Sequence, residues 1–177
     1  MNFEEYARMN EQFLEMTPTQ MVNVVDRTNF DGQEEMAFKM WTKSYPNNGS
    51  GESGLISRLT NVLNMDEEDI TTLSQTYGGL SEALYDIMGG SPEGNPVYIQ
   101  DVYGALYTDS WETTYEQYFE LLPRLSPLGR KWLTAFVLKE TRHGCGETAV
   151  KKMLSKSYGL KAAEIKKASH FLPLDEV

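Results

Sequence analysis

The stretch SPLGRKWLTAFVLKETRHGCGET, residues 126–148, carries the clearest fold signal of the chain. Ser126 followed by Pro127 is typical of a helix start, because the hydroxyl caps the first turn and proline suits the first helical position. Apolar residues then recur at helical spacing until two glycines interrupt them. The stretch therefore predicts a helix over about 126–141, a Gly-rich turn, and a second helix over 147–157.

The same signals continue on both sides of this stretch. Helices are predicted over about 3–16, 18–29, 36–45, 53–64, 66–77, 80–88, 97–108, 111–122, 126–141, 147–157 and 162–169. Thr17 and Asn64 are the predicted caps of the second and fifth helices. No convincing two-residue alternation appears, so strands are not expected. The predicted fold is all-α, with about ten to twelve short helices in two pseudo-symmetric halves.

The chain is long enough for one ordinary domain, and we predict a single helical domain over 1–177. The Gly- and Pro-rich segment 89–96 is the strongest loop signal, and it divides the domain into candidate lobes 1–90 and 96–177.

An internal repeat appears when the chain is aligned with itself at an offset of 95 residues. The hexapeptide NGSGES (48–53) then lies over HGCGET (143–148), and the apolar positions that follow agree in phase, as Leu55 over Val150 shows. The repeated unit is a helix, a G-x-G-E-[ST] turn and another helix. It predicts two Gly-rich turns related by a pseudo-twofold axis, on the same broad face.

Charge is distributed unevenly along the chain, whose net charge is −10. Residues 1–123 hold 5 Lys and Arg against 21 Asp and Glu, whereas residues 124–177 hold 11 against 5. The overall charge argues against a nucleic-acid partner, but a basic final third is typical of a basic face that binds a polyanion. The alternative is a basic segment that neutralises the acidic body within the fold.

The two turns have a chemistry that suits phosphate. Glycines let the backbone approach a ligand closely, and exposed amides at a helix start attract anions. The second turn adds Arg142 before it and Lys151–Lys152 after it, whereas the first has only Arg58 nearby. Ser53 or Thr148 is expected to cap the helix that follows each turn. We therefore favour phosphate contact at the second turn and a purely structural role at the first.

Enzymatic and metal-binding interpretations find little support. Cys145 and His143 could form a thiol nucleophile with its base, but residues two apart in a tight turn rarely reach attack geometry. One cysteine and two histidines cannot build the usual structural zinc site. A single cysteine excludes an internal disulfide framework and fits a reducing compartment, so a cytoplasmic or nuclear location is expected. No apolar run is long enough to span a membrane, and no membrane partner is expected.

Taken together, the motifs resemble the N-terminal, all-helical DNA-binding domain of ATP-dependent DNA ligases. Residues 126–148 are similar to the family's apolar helix that ends in a basic "lRxGxgE" turn. Residues 51–58 resemble its "GxGxxLLxKA" helix, and 69–83 its "tGDLGexa" segment. Residues 97–103 are similar to the "ltixxVyxxl" helix, and 173–177 to a second "DLGxva" copy. The resemblance covers most of the chain in the family's order.

This resemblance implies that the chain binds nicked double-stranded DNA along the minor groove, through backbone and phosphate contacts, in DNA replication, repair and recombination. The DNA-binding residues implied by the resemblance and the two turns are Gly51, Ser53, Arg58, Tyr77, Gly78, Gly79, Arg142, His143, Gly144, Gly146, Thr148, Lys151 and Lys152. No catalytic or metal-binding residue is assigned.

The sequence also departs from the family. Gly78-Gly79 replaces the family's Gly-Asp, and Cys145 stands where a small apolar residue is usual. The nucleotidyltransferase motif K-x-D-G is absent, since none of the ten lysines is followed by x-D-G. No cofactor is therefore expected on this chain, and ATP and magnesium are implied on a separate catalytic domain or subunit, which is the second expected partner.

Whether the chain belongs to an enzyme is left open. The alternative function is a helical protein–protein adaptor with a basic docking edge, of cellular or viral origin, which kept the fold and lost DNA binding.

Overall fold

The computed structural model describes residues 1–46 and 51–158. The predicted helix over 162–169, the segment 173–177 and residues 47–50 of the first turn lie outside these ranges. The described part contains ten α-helices, one short 3₁₀ helix and no β-strand, which confirms the all-α prediction. None of the described helices is long and apolar enough to cross a membrane.

The α-helices follow one another with short connections. In chain order they are α1 (Phe3–Phe13), α2 (Pro18–Asp26), α3 (Glu34–Trp41), α4 (Gly51–Leu63), α5 (Glu67–Tyr77), α6 (Leu80–Ile87), α7 (Ile99–Leu106), α8 (Trp111–Leu121), α9 (Pro127–Val137) and α10 (Glu147–Tyr158). The 3₁₀ helix, Leu122–Arg124, joins α8 to α9.

Two predicted helix starts are confirmed by their capping bonds. The Thr17 hydroxyl accepts the Gln20 amide at 3.3 Å, and the Gln20 side chain accepts the Thr17 amide at 2.9 Å. This reciprocal pair satisfies two amides that lack partners within the helix. The Ser126 hydroxyl likewise accepts the Gly129 amide at 3.1 Å at the start of α9.

Three predicted caps are wrong. Asp66, not Asn64, caps α5, because its carboxylate accepts the Asp69 amide at 2.9 Å. Asn64 instead takes a positive φ of 52° directly after α4. Ser53 and Thr148 lie inside the first turns of α4 and α10 rather than before them.

Helices α3 and α9 end four residues earlier than predicted, and for the same reason. Lys43 and Lys139 follow their C-termini with φ of 58° and 57°, a left-handed backbone that stops a helix. In both turns the amide after the lysine donates to a carbonyl five residues earlier, at 2.8 Å. The two lysines are 96 residues apart, one more than the offset of the sequence match.

Several contacts between the two halves are reciprocal. The segments entering α1 and α7 form a short antiparallel bridge, in which Phe3 N donates to Val97 O at 2.8 Å and Ile99 N to Met1 O at 3.1 Å. Helix α1 packs on α9, and α3 packs on α7 in the reciprocal arrangement. Helix α2 packs on α10, and α4 faces α8 through Arg58. One continuous hydrophobic core therefore draws on both predicted lobes.

Candidate nucleic-acid interface

A concavity of about 650 Å³ opens between the start of α4, the junction of α5 and α6, and the turn before α10. Four residues that the sequence singled out line it, namely Ser53, Gly78, Gly79 and Arg142. They come from three segments that are distant in sequence and are brought together only by the fold. We call this concavity the Arg142 cleft.

Arg142 is exposed and has a left-handed backbone with φ of 60°. Its guanidinium lies over two glycines, since a Cβ on Gly79 would stand 2.7 Å from Nη2 and one on Gly78 would stand 3.7 Å from Nη1. Gly78 is itself left-handed, with φ of 83°, and ends α5. Within the described ranges Arg142 makes no hydrogen bond or ion pair. Its guanidinium, placed against the two glycines, is therefore available to bind an anionic ligand.

Three carboxylates share the Arg142 cleft with the guanidinium. Glu52, Glu67 and Glu140 line it, and the Glu52 carboxylate accepts the Ser74 hydroxyl. These carboxylates disfavour a polyanion, and among the described residues that line the cleft Arg142 is the one cation that attracts it. The described ranges contain no cluster of three His, Cys, Asp or Glu side chains that could hold a metal ion.

The Gly-rich turn before α10 differs from expectation in its backbone. Its left-handed residue is Arg142, whereas Gly144 and Gly146 have ordinary φ values. A Cβ on Gly146 would meet nothing within 4 Å, and the Gly146 carbonyl accepts the first helical bond of α10 from Val150 at 3.0 Å. The Gly146 amide itself donates to Gly144 O at 3.1 Å, and glycine is not required at this position by the fold.

His143, predicted among the DNA-contacting residues, is turned into the protein. Its ring stacks on Trp132 with centroids 5.4 Å apart. Nδ1 accepts the Cys145 amide at 3.2 Å, which leaves the proton on Nε2 to be donated to Asn10 Oδ1 at 2.7 Å. Burial lowers the pKa of His143 to about 4, so the ring is neutral at pH 7. His143 anchors the turn from inside and is not placed to contact a ligand.

Cys145 is not placed for nucleophilic chemistry. Its side chain is only 1% exposed, and burial raises the pKa of its thiol well above the ordinary value. His143 receives the Cys145 amide and not its thiol. The thiol-enzyme hypothesis therefore has no geometric support.

The exposed face of α10 retains the other predicted residues of the second turn. Thr148 and Lys152 are exposed. Lys151 is half-buried and pairs with Glu147 at 3.0 Å, one helical turn earlier. Exposed pairs of this kind contribute little to stability, so Lys151 can exchange its partner at small cost.

The residues predicted near the first turn are more constrained. The guanidinium carbon of Arg58 lies 4.1 Å from the Trp111 ring centroid and 5.1 Å from the Tyr115 ring centroid. These two cation–π contacts hold the Arg58 side chain against α8. The Tyr115 hydroxyl donates to Gly51 O at 3.4 Å, so α4 begins against α8. Tyr77 is 41% exposed, immediately before the glycines of the Arg142 cleft.

Part of the basic final third is used inside the fold, as the alternative interpretation of the charge expected. Arg130 is 4% exposed and donates to the carbonyls of Leu122, Met88 and Gly89 at 2.9–3.1 Å. It thereby satisfies orphan carbonyls at the end of α6. The positive charge also favours the negative end of that helix dipole.

Two further cations of that third are paired with acids. Lys131, 7% exposed, bonds to Glu11 and lies 3.1 Å from Glu82. Arg124 pairs with Glu120 at 2.8 Å. Within residues 124–158, the basic surface available to a ligand is therefore smaller than the sequence count suggests, and it is concentrated at Arg142 and α10.

Sequence inspection missed a contact between the two halves. Lys139 Nζ donates to Tyr45 O at 2.7 Å and to Lys43 O at 3.4 Å, and it lies 4.7 Å from the Tyr45 ring centroid. In return, the Tyr45 hydroxyl donates to Phe136 O. Burial, and then the charge of Lys43, lower the pKa of Lys139. We call the Lys139–Tyr45 pair the turn latch; its one sequence signal is a lysine at equivalent positions of the two halves.

No protein-family model matches the chain. It is similar to a protein described as "Probable DNA ligase" from Persephonella marina (strain DSM 14350 / EX-H1), with 32% identity over 114 residues. The match covers 59% of this chain but 19% of the relative, so it spans about a fifth of that protein's length. Over that part of its length, the chain is loosely related to a DNA ligase.

Proposed function

We propose that this chain is a duplex-DNA-binding module that works with a DNA-ligase activity carried elsewhere. It grips nicked DNA from the minor-groove side, and its contacts go to phosphates and the groove floor rather than to a base sequence. The observation that carries the proposal is Arg142, an exposed guanidinium that lies against two glycines, lines a cleft and has no hydrogen-bond or ion-pair partner among the described residues.

The seat of Arg142 suits the minor groove. The groove's negative potential attracts arginine side chains inserted into it. The left-handed backbone at Arg142 directs its side chain, and Gly78 and Gly79 leave space for the guanidinium because they have no side chains. Little conformational freedom of Arg142 therefore remains to be lost on binding.

Phosphate contacts flank this central residue. The first amides of α10, which lack acceptors within the helix, and the exposed Thr148 and Lys152 offer donors at this helix start. Ser53, exposed in the first turn of α4, offers a hydroxyl and neighbouring amides on the other side of the Arg142 cleft. Such contacts do not read sequence, which suits a module that must act at any nick.

The chemical step of ligation is assigned to another domain or subunit. The chain contains no K-x-D-G, so it lacks the lysine that would accept the nucleotide. After incubation with labelled ATP and magnesium, we expect no label on any lysine of this chain. Labelled lysine would contradict this division of work.

The proposal is tested by binding of fluorescent nicked duplex across a range of salt concentrations. Arg142→Ala should weaken binding about tenfold, because a charge-assisted contact is lost. Arg8→Ala is the matched control, since Arg8 is also exposed and makes no hydrogen bond or ion pair in the described part of the chain. It should change affinity by less than about twofold.

Two results would overturn the proposal. One is a flat salt dependence, since each neutralised phosphate should contribute about −0.9 to the slope of log affinity against log salt. The other is equal loss in the Arg142 and Arg8 variants. Absence of duplex binding at low salt would favour the protein–protein adaptor instead.

A further inference from the structure

The turn latch joins the two halves of the molecule by reciprocal bonds. Lys139, after the end of α9, donates to the backbone of Tyr45, and Tyr45 donates back to the last turn of α9. Each residue therefore fixes the segment to which the other belongs. Six positions beyond Tyr45, α4 begins; three positions beyond Lys139 stands Arg142.

The backbone at Lys139 makes the choice of lysine informative. Its φ of 57° is a conformation that glycine adopts without strain and that costs a lysine free energy. Lys43 occupies the equivalent position of α3 with φ of 58°, yet its side chain is exposed and bonds to nothing in the described ranges. Two lysines thus share one backbone conformation, and only Lys139 uses its ammonium group within the fold.

In sequence, Tyr45 precedes α4 and Lys139 precedes Arg142, and α4 and Arg142 both contribute to the Arg142 cleft. Ser53 and Arg142 both line this cleft, one from α4 and the other from the turn before α10. The phosphates of a duplex have fixed spacing, so a surface that contacts both strands gains affinity when its own groups are held at matching positions.

We propose that Lys139 and Tyr45 are positioning residues that set the placement of α4 relative to Arg142, and thereby the affinity for duplex DNA, without touching the DNA. This inference rests on the proposed function. It is independent of the contacts made by Arg142 itself, and it assigns a role to a residue pair that no sequence motif marks.

The test compares Lys139→Gly with Lys43→Gly in the full chain. Both substitutions remove one positive charge and place glycine at a left-handed position, and only the first removes the latch. We expect Lys139→Gly to bind nicked duplex about tenfold more weakly at every salt concentration. Without the turn latch the two segments become ordered only on binding, and the conformational entropy lost in that step reduces the affinity. Its salt slope should equal that of the unmodified chain. Lys43→Gly should stay within about twofold.

Two outcomes of the binding series would overturn the proposal. A salt slope reduced by about 0.9 in Lys139→Gly would mean that the ammonium contacts a phosphate directly. Equal affinity losses in the two glycine variants would mean that charge alone matters. Tyr45→Phe should reproduce the loss, and Lys139→Gly with Tyr45→Phe should lose no more than the larger single variant; additive losses would contradict a shared role.

A measurement without DNA separates this inference from the proposed function. Spin labels at Ser57→Cys and Ser155→Cys, both exposed, report the distance between α4 and α10. We expect the distance distribution to broaden in Lys139→Gly and to keep its width in Lys43→Gly. An unchanged distribution in Lys139→Gly overturns the latch, even where duplex binding is strong. A broadened distribution in a chain that does not bind duplex keeps the latch and rejects the proposed function.

Discussion

The guanidinium of Arg142 occupies the space where a side chain of Gly79 would be, with Nη2 only 2.7 Å from the position of that Cβ. The residues are more than sixty positions apart, and the backbones of both are unusual, left-handed at Arg142 and open only to glycine at Gly79. This relationship makes the junction of α5 and α6 a seat for a cation that comes from the other half of the molecule.

Gly79→Ala should displace Arg142 and weaken duplex binding almost as much as Arg142→Ala. It should also cost about 1–3 kcal/mol of stability, since its backbone suits glycine alone. Combined with Arg142→Ala, it should reduce affinity no further, because its effect passes through the same guanidinium. Gly89→Ala is the control, as a Cβ there meets nothing within 4 Å. Duplex titrations and denaturant unfolding measure both effects, and a further loss in the double variant would contradict the seat.

The sequence predicted the helices well because apolar spacing and Pro or Ser starts are local signals. It failed at the ends of α3 and α9, where Lys43 and Lys139 take the left-handed position that glycine usually marks. A rule based on residue type cannot recognise a helix end at a lysine. Both helix ends are predicted four residues too late because, in both halves, a lysine stands where a glycine usually marks the helix end.

The candidate site could be predicted only in part. Local sequence patterns identified Arg142 and the pair Gly78 and Gly79 separately. The contact between them depends on packing of elements that are distant in sequence. Sequence counts also could not tell which cations would be used internally. Arg130 and Lys131 belong to the basic third but lie buried against carbonyls and carboxylates. His143 looked like part of an exposed turn, and its inward orientation depends on Asn10, more than a hundred residues earlier.

Arg130→Met should destabilise the fold by about 2–4 kcal/mol, because the carbonyls of Leu122, Met88 and Gly89 lose a buried charged donor. The free energy of unfolding from urea titration measures this loss. Lys152→Met removes a charge from an exposed position of α10 and should change stability by no more than about 0.5 kcal/mol. Similar values for the two variants would mean that Arg130 is not a structural clamp.

Stability should depend on pH through His143. Its pKa is about 4 in the folded protein against about 6.5 in the unfolded chain, so the unfolded chain binds the proton more tightly. The contribution is therefore complete above pH 6.5 and is lost as the pH falls from 6.5 to 4. The full loss is about 3 kcal/mol, and none follows below pH 4, where both states are protonated.

The measurement for His143 is the free energy of unfolding at several pH values, compared with a His143→Gln variant. The difference between the two proteins isolates this histidine from carboxylates and from His170. The curves should be separated by a constant amount above pH 6.5 and should converge as the pH approaches 4. Parallel curves between pH 6.5 and 4 would show that His143 is not held neutral by the fold.

The last prediction concerns the open space around Gly146, the residue before α10. Nothing lies within 4 Å of a Cβ at this position and its φ is ordinary, so Gly146→Val meets no obstacle in the fold. We expect a stability cost of about 1 kcal/mol, since valine is a poor residue at a helix start. The branched side chain would nevertheless cover the amides at the start of α10, and duplex affinity should fall about tenfold as phosphate contacts are lost. As in Lys139→Gly, the salt slope should stay unchanged, because a backbone amide carries no net charge and neutralises no phosphate. Unchanged affinity with unchanged stability would show that DNA does not reach this turn, and would leave Arg142 to act without the helix beside it.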